Sequence, residues 1–222
     1  KAISLHNLKL VMQGQRNSIH LFPIFALKFI FMRIKESIAE SIATKQRILS
    51  DDQLIEVIMD VANTCSEAFC NGNKVLFCGN GGSAADAQHL SAEFVNKFNL
   101  ERPGLPAIAL TTDTSILTSV GNDYSFSQIF ARQVRALGNE GDVFIAISTS
   151  GKSANLFEAL KACREKKIVT IGLTGESGGT MKELSDICIH IPSEETPRVQ
   201  EAQILIGHII CSIVEEEIFG QH

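Results

Sequence analysis

The sequence predicts an α/β fold: a three-layer, doubly wound domain around a five-stranded parallel sheet, with extra N-terminal helices and a long C-terminal helix. Three observations carry this expectation. Five short runs, at 75–78, 107–110, 143–147, 168–173 and 187–191, are mostly apolar without regular alternation, as strands buried on both faces are. Helical stretches lie between them, the order expected of parallel strands joined by right-handed crossovers. With 222 residues, 45% apolar and 20% charged, the chain is large enough to enclose such a core.

Each element has its own local reason. Ile34, Ile38, Ile42, Ile48 and Leu49 recur at a helical period, which predicts a helix from 34 to 49. Ser50-Asp51-Asp52 supplies N-cap chemistry for a second helix over about 53–71, and Asn71-Gly72-Asn73 stops it. Further helices are expected over about 83–98, 124–137, 153–166 and 179–185. The last, over about 198–219, is expected to begin after Pro197. The segment before 124, ending Gly121-Asn122-Asp123, reads as a polar loop.

The charge is unevenly spread. The chain carries a net −5, which argues against a surface built to hold nucleic-acid phosphates. Residues 1–31 hold four basic residues and no Asp or Glu, so all 25 acidic residues fall in 32–222. The apolar run at 21–31 is shorter than the roughly 20 residues a spanning helix needs, and Pro23 and Lys28 interrupt it. No small-residue cleavage site follows it, as a signal peptide requires. Met32 is therefore the expected natural start, with 1–31 a leader of translated upstream sequence or a disordered extension and 32–222 a single domain. A targeting or membrane-surface role for the leader is the alternative. The six cysteines form no C-x-x-C pair and sit mostly in apolar stretches, which favours buried thiols in a reducing cytoplasm.

In a sheet of this type ligands bind at the carboxyl ends of the strands. After the first strand stands Cys78-Gly79-Asn80-Gly81-Gly82-Ser83-Ala84, a glycine-rich turn opening a helix, suited to an anion. Its spacing also satisfies G-x-G-x-x-A. A dinucleotide site, however, wants an acidic residue at the end of the second strand, which here ends Ala109-Leu110-Thr111-Thr112, with Asp113 further on. After the third strand stands Ser148-Thr149-Ser150-Gly151-Lys152-Ser153. Four hydroxyls around a glycine at a helix start exceed what N-capping needs and suit a small phosphate. Thr174-Gly175-Glu176-Ser177-Gly178-Gly179 after the fourth strand reads as a turn without an evident role.

His89 and Glu93 are four apart on the helix after the glycine turn and share a face. Such a pair can hold a metal ion or act as base and orienting partner, or simply be a solvated pair. In the last helix His208 stands among isoleucines, where a satisfied interior histidine is the ordinary reading. Gln200 lies eight residues before it, about 12 Å along the axis, so the two meet at one centre only by reaching toward each other or across subunits.

The stretches 78–94, 101–110, 119–123, 136–155, 171–179 and 195–215 together resemble the sugar isomerase (SIS) family and, within it, the phosphoheptose isomerases. They span nearly all of 32–222. The resemblance implies a flavodoxin-like SIS fold and conversion of sedoheptulose 7-phosphate to D-glycero-D-manno-heptose 7-phosphate, the first step of ADP-heptose biosynthesis toward lipopolysaccharide or other surface glycans. It implies a cytoplasmic homotetramer with active sites between subunits, often with one zinc ion per subunit. The family's zinc ligands fall on His89, Glu93, Gln200 and His208, its catalytic base on Glu93 and its acid on His208. Its substrate contacts fall on Asn80, Gly81, Gly82, Glu93, Asn122, Asp123, Ser148, Thr149, Ser150, Ser153 and Gln200, with Ser83 a further phosphate contact. Other similar proteins bind the replication initiator and lack the acid–base residues. This sequence keeps Glu93 and His208, although 109–113 looks somewhat like those relatives. An isomerase for another sugar phosphate is the remaining alternative, since nothing in the residues reads out chain length.

Overall fold

The structure, a computed structural model, describes residues 24–220. Residues 1–23 of the expected leader lie outside the described residues. The chain divides into two compact units, 1–39 and 40–222. The described part of the first is helical: α1 (Ile24–Leu49) begins well before the expected Ile34. The reason is simple. Residues 24–34 lack the amphipathic period that marks a helix, yet contain no Gly or Pro to stop one.

In the second unit α2 (Asp52–Cys70) starts at the expected cap, where the Asp51 carboxylate accepts from the Leu54 N–H at 3.0 Å. There follow β1 (Val75–Gly79), α3 (Gly82–Val95), β2 (Ala107–Ala109), α4 (Thr114–Asp123) and a 3-10 turn (Phe126–Gln128). Then come α5 (Ile129–Leu137), β3 (Val143–Ser148), α6 (Ala154–Glu165), β4 (Val169–Thr174), α7 (Met181–Leu184), β5 (Ile187–His190) and α8 (Thr196–Phe219).

Three expectations are corrected. The polar stretch before 124 is not a loop but α4, so Asn122 and Asp123 end a helix. Asp113 caps it, accepting from the Ile116 N–H at 2.9 Å. Only Val120 of α4 is buried, so the sequence carries almost no apolar stripe to announce it. In addition, the helix expected over 124–137 is a 3-10 turn followed by the shorter α5. At α8, Pro197 lies inside the first turn rather than before it, where its missing N–H costs nothing.

All five strands are parallel, in the order β2-β1-β3-β4-β5. Their side chains feed two cores alternately. Val75 and Phe77 of β1 join Val143, Ile145 and Ile147 of β3 in the core shared with α2, α3 and α8. Leu76, Cys78, Phe144 and Ala146 point the other way, into the core shared with α4, α5 and α6. Both faces are buried, which is why the strand runs are apolar without alternation.

Candidate active site

The strand order reverses between β1 and β3, because β1 leads to β2 on one side and pairs with β3 on the other. Open α/β sheets bind ligands in the crevice at such a point. Gly79 pairs with Ile147 across the two strands, so the glycine turn and the hydroxyl loop leave the sheet side by side. Two reciprocal amide bonds tie them: Asn80 Nδ2 donates to Asn155 Oδ1 at 3.0 Å, and Asn155 Nδ2 to Asn80 Oδ1 at 2.8 Å. Asn155, buried in the first turn of α6, joins the two loops and is not among the residues expected from the sequence. Its only signal was an amide just after the hydroxyl loop.

In the glycine turn Gly81 is the N-cap of α3, which starts without a side-chain cap, and Ser83 is buried in its first turn. A side chain at Gly82 would run into the Gln200 amide. Glycine there makes room for Gln200, which α8 delivers to the turn. In the second loop Ser148 Oγ accepts from the Gly151 N–H at 3.2 Å, and Ser150 Oγ accepts from the Lys152 N–H at 3.3 Å. Ser153 is the N-cap of α6 but makes no side-chain cap bond, so capping does not account for its hydroxyl. Thr149 stands half-buried between Ser148 and Ser150.

The loop at 175–179 also acquires a role. Gly151 has φ +60°, and a side chain on it would strike the Gly178 carbonyl. Backbone therefore packs on backbone, and the 175–179 loop closes behind the hydroxyl loop. Asn122 and Asp123 are exposed at the end of α4 and hydrogen-bond each other at 2.9 Å; no hydrogen bond among the described residues joins them to either loop.

His89, Glu93 and His208 do come together. The His89 and Glu93 side chains meet at 2.9 Å, and His208 Nε2 stands 3.3 Å from His89 Nε2. One donor atom from each of the three lies within 4.8 Å of the others. His208 is thus not an interior histidine packed only among isoleucines. This is a donor set that can hold a metal ion. Two imidazole nitrogens bound at tetrahedral angles to one zinc stand about 3.3 Å apart, so the spacing fits. Asp86, one turn before His89, has a carboxylate oxygen buried without a hydrogen-bond partner among the described residues. Burial pushes its pKa up, and the nearby His89 pulls it the other way.

Beneath the cluster lies a buried ion pair between Arg102 and Glu215, at 2.7 Å. Burial pushes the Glu215 carboxyl up, but the Phe98, Asn99 and Leu100 N–H groups and Arg102 outweigh it and bring the pKa to about 2.

A family model described as the SIS domain matches residues 38–175. The chain belongs to the SIS domain family. Within that family it is similar to phosphoheptose isomerase 2 of Campylobacter jejuni, 59% identical over 188 residues covering 85% of this chain and 94% of that protein. The phosphoheptose isomerase of Aneurinibacillus thermoaerophilus is 58% identical over 186 residues, covering 84% of this chain and 94% of that protein. Among solved structures, phosphoheptose isomerase from Neisseria gonorrhoeae aligns with a TM-score of 0.79 at 43% identity, covering 84% of this chain and 99% of that one. The parallel sheet with helices on both faces is thus the SIS fold that the sequence predicts. No helix among the described residues is long and apolar enough to cross a membrane.

Proposed function

We propose that the chain is an aldose–ketose isomerase that converts sedoheptulose 7-phosphate to D-glycero-D-manno-heptose 7-phosphate, opening the route to ADP-heptose. The observation that carries this reading is a carboxylate facing two imidazoles on α3 and α8, with α3 itself opening from the glycine turn at the switch point of the sheet. The names of the relatives supply the sugar.

Phosphate is held by Ser148, Thr149, Ser150 and Ser153 and by the N-terminus of α6, with Ser83 in the neighbouring turn. An acidic chain thus binds an anion through local N–H and hydroxyl donors, with no need for a positive surface. Asn80, Gly81, Gly82, Asn122, Asp123 and Gln200 hold the hydroxyls and the reacting end. The Glu93 carboxylate takes a proton from C1 of the ketose and, after exchange with solvent, delivers one to C2 through a cis-enediol. His208 moves the accompanying proton between the two oxygens, so the carbonyl passes from C2 to C1. Binding energy at the phosphate positions the carbons for this transfer.

Zinc is the metal we assign to the donor set, held by His89, Glu93 and His208; Gln200 would serve as fourth ligand by swinging from Gly82 toward the imidazoles. When bound it would polarise the carbonyl and stabilise the negative charge that develops on oxygen. We take 32–222 as the isomerase domain, in keeping with relatives matched along nearly their whole length. A homotetramer with sites between subunits is supported by the exposed apolar side chains Ile42, Leu49, Ile55 and Met59 on α1 and α2. Six free cysteines, most of them buried, support a cytoplasmic location.

The test is incubation of the purified chain with sedoheptulose 7-phosphate and identification of the product. Appearance of the aldose heptose 7-phosphate supports the reading; unchanged substrate at high enzyme concentration refutes it. Metal analysis after purification without chelator checks zinc, and a metal-free preparation with full activity would refute that assignment.

A further inference from the structure

The cluster is built on two helices, with His89 and Glu93 on α3 and His208 on α8. Glu93 stands two residues from the end of α3, among the last carbonyls that have no partner within a helix. Arg102 supplies partners for them. Its Nη2 donates to the Glu93 carbonyl at 2.9 Å and its Nη1 to the Phe94 carbonyl at 2.9 Å. A cation also suits the negative end of a helix. The same guanidinium donates through Nε to Glu215 of α8 at 2.7 Å, and both side chains are only 1% exposed. Glu215 lies seven residues after His208, two turns along the same face.

The other half of the device is the turn at 98–100. Glu215 accepts from the Phe98 N–H at 2.8 Å, the Asn99 N–H at 2.6 Å and the Leu100 N–H at 2.7 Å. The Phe98 ring packs against the His208 imidazole, with centroids 5.6 Å apart. One buried pair therefore fixes the backbone of Glu93 from one side and the ring that backs His208 from the other.

Stability alone does not call for such a pair. A buried ion pair is often no more stabilising than apolar residues of the same size. The two helices already pack closely, with Leu90 lying directly over Gly207. What the charged pair adds is direction, since its donors and acceptors reach specific atoms on both helices and on the turn between.

We infer that Arg102 and Glu215 are positioning residues for the isomerisation, setting the placement of the Glu93 carboxylate relative to the His208 imidazole. This rests on the proposed function of the cluster.

The test uses variants that keep the buried charges paired. Arg102→Ala strands the Glu215 carboxylate and is expected to fold poorly. Arg102→Lys retains the charge but cannot reach the carboxylate and both carbonyls at once. Glu215→Asp withdraws the carboxylate from the 98–100 turn. Both are checked for folding by circular dichroism and then compared with the wild type by turnover and by the ring resonances of His89 and His208 in protein labelled at histidine. The expected result is kcat lowered about tenfold or more with KM within about twofold, because a small misplacement of reacting groups costs rate rather than phosphate binding. Arg102→Lys is expected to move the His89 resonance most, and Glu215→Asp that of His208. Folded variants with both ring resonances at their wild-type positions overturn the inference, whatever the sugar. Failure of the wild type to isomerise the heptulose phosphate overturns the functional reading instead, and the ring resonances then judge the positioning alone.

Discussion

At the N-terminal ends of the strands Asp142 is fully buried, accepting from the Lys74 and Asn139 backbone N–H groups and from the Lys74 ammonium at 2.6 Å. Asp186 is completed in the same way by the Thr170 N–H at 2.8 Å and hydroxyl at 2.6 Å. At the C-terminal ends α3 starts without a side-chain cap and Ser153 makes no cap bond, and further along α3 two imidazoles face one carboxylate. Both ends use carboxylates, hydroxyls and helix or strand termini. At one end the chain itself supplies the partners and the polar groups hold the fold. At the other the groups converge without completing one another, and a ligand has something to offer.

Breaking each end should break a different property. The largest effect is expected from Glu93→Gln: turnover falls about a thousandfold while the thermal melt stays near that of the wild type. An active Glu93→Gln protein would remove Glu93 from the chemistry. Just before β3, Asp142→Ala leaves the Lys74 charge short of its partner, and a loss of about 3 kcal/mol is expected in denaturant unfolding. Its kcat, measured where the protein is still folded, should match the wild type; a large kcat defect would blur the division between the two ends.

A third expectation concerns acid. The folded pKa of Glu215 lies at about 2, below its ordinary 4.5. A depressed carboxylate contributes its stability in full above pH 4.5 and loses it as the pH falls toward 2. Unfolding followed across this window should show a steep decline in the wild type and a shallower one in Glu215→Gln. The smallest effect is expected at the hydroxyl loop. Ser150→Ala removes one donor to phosphate, which should raise KM by about tenfold with little change in melting temperature. Unchanged kinetics would take Ser150 out of the site.

The strands and the two loops after β1 and β3 were legible because their signals are local: continuous apolar runs, a glycine turn, four hydroxyls in six residues. His89 and Glu93 were legible as a pair for the same reason, through their spacing of four. Much of the rest depends on contacts between distant residues. Arg102 meets Glu215 across 113 positions, and Asn80 meets Asn155 across 75. Neither partner carries a pattern that names the other. The eight-residue gap between Gln200 and His208 keeps their side chains at different points along α8. In the structure Gln200 reaches the turn at Gly82 while His208 reaches His89, each further along its helix. Helix α4 was missed because only one of its ten residues is buried, which leaves no stripe to read.

The central claim is that Glu93 carries a proton between adjacent carbons of a phosphorylated ketose. Sedoheptulose 7-phosphate incubated with the protein in heavy water and followed by NMR tests it directly. The account predicts deuterium on C2 of the aldose product with the wild type and none with Glu93→Gln. Product formed without deuterium from solvent by either protein, or labelled equally by both, would contradict it.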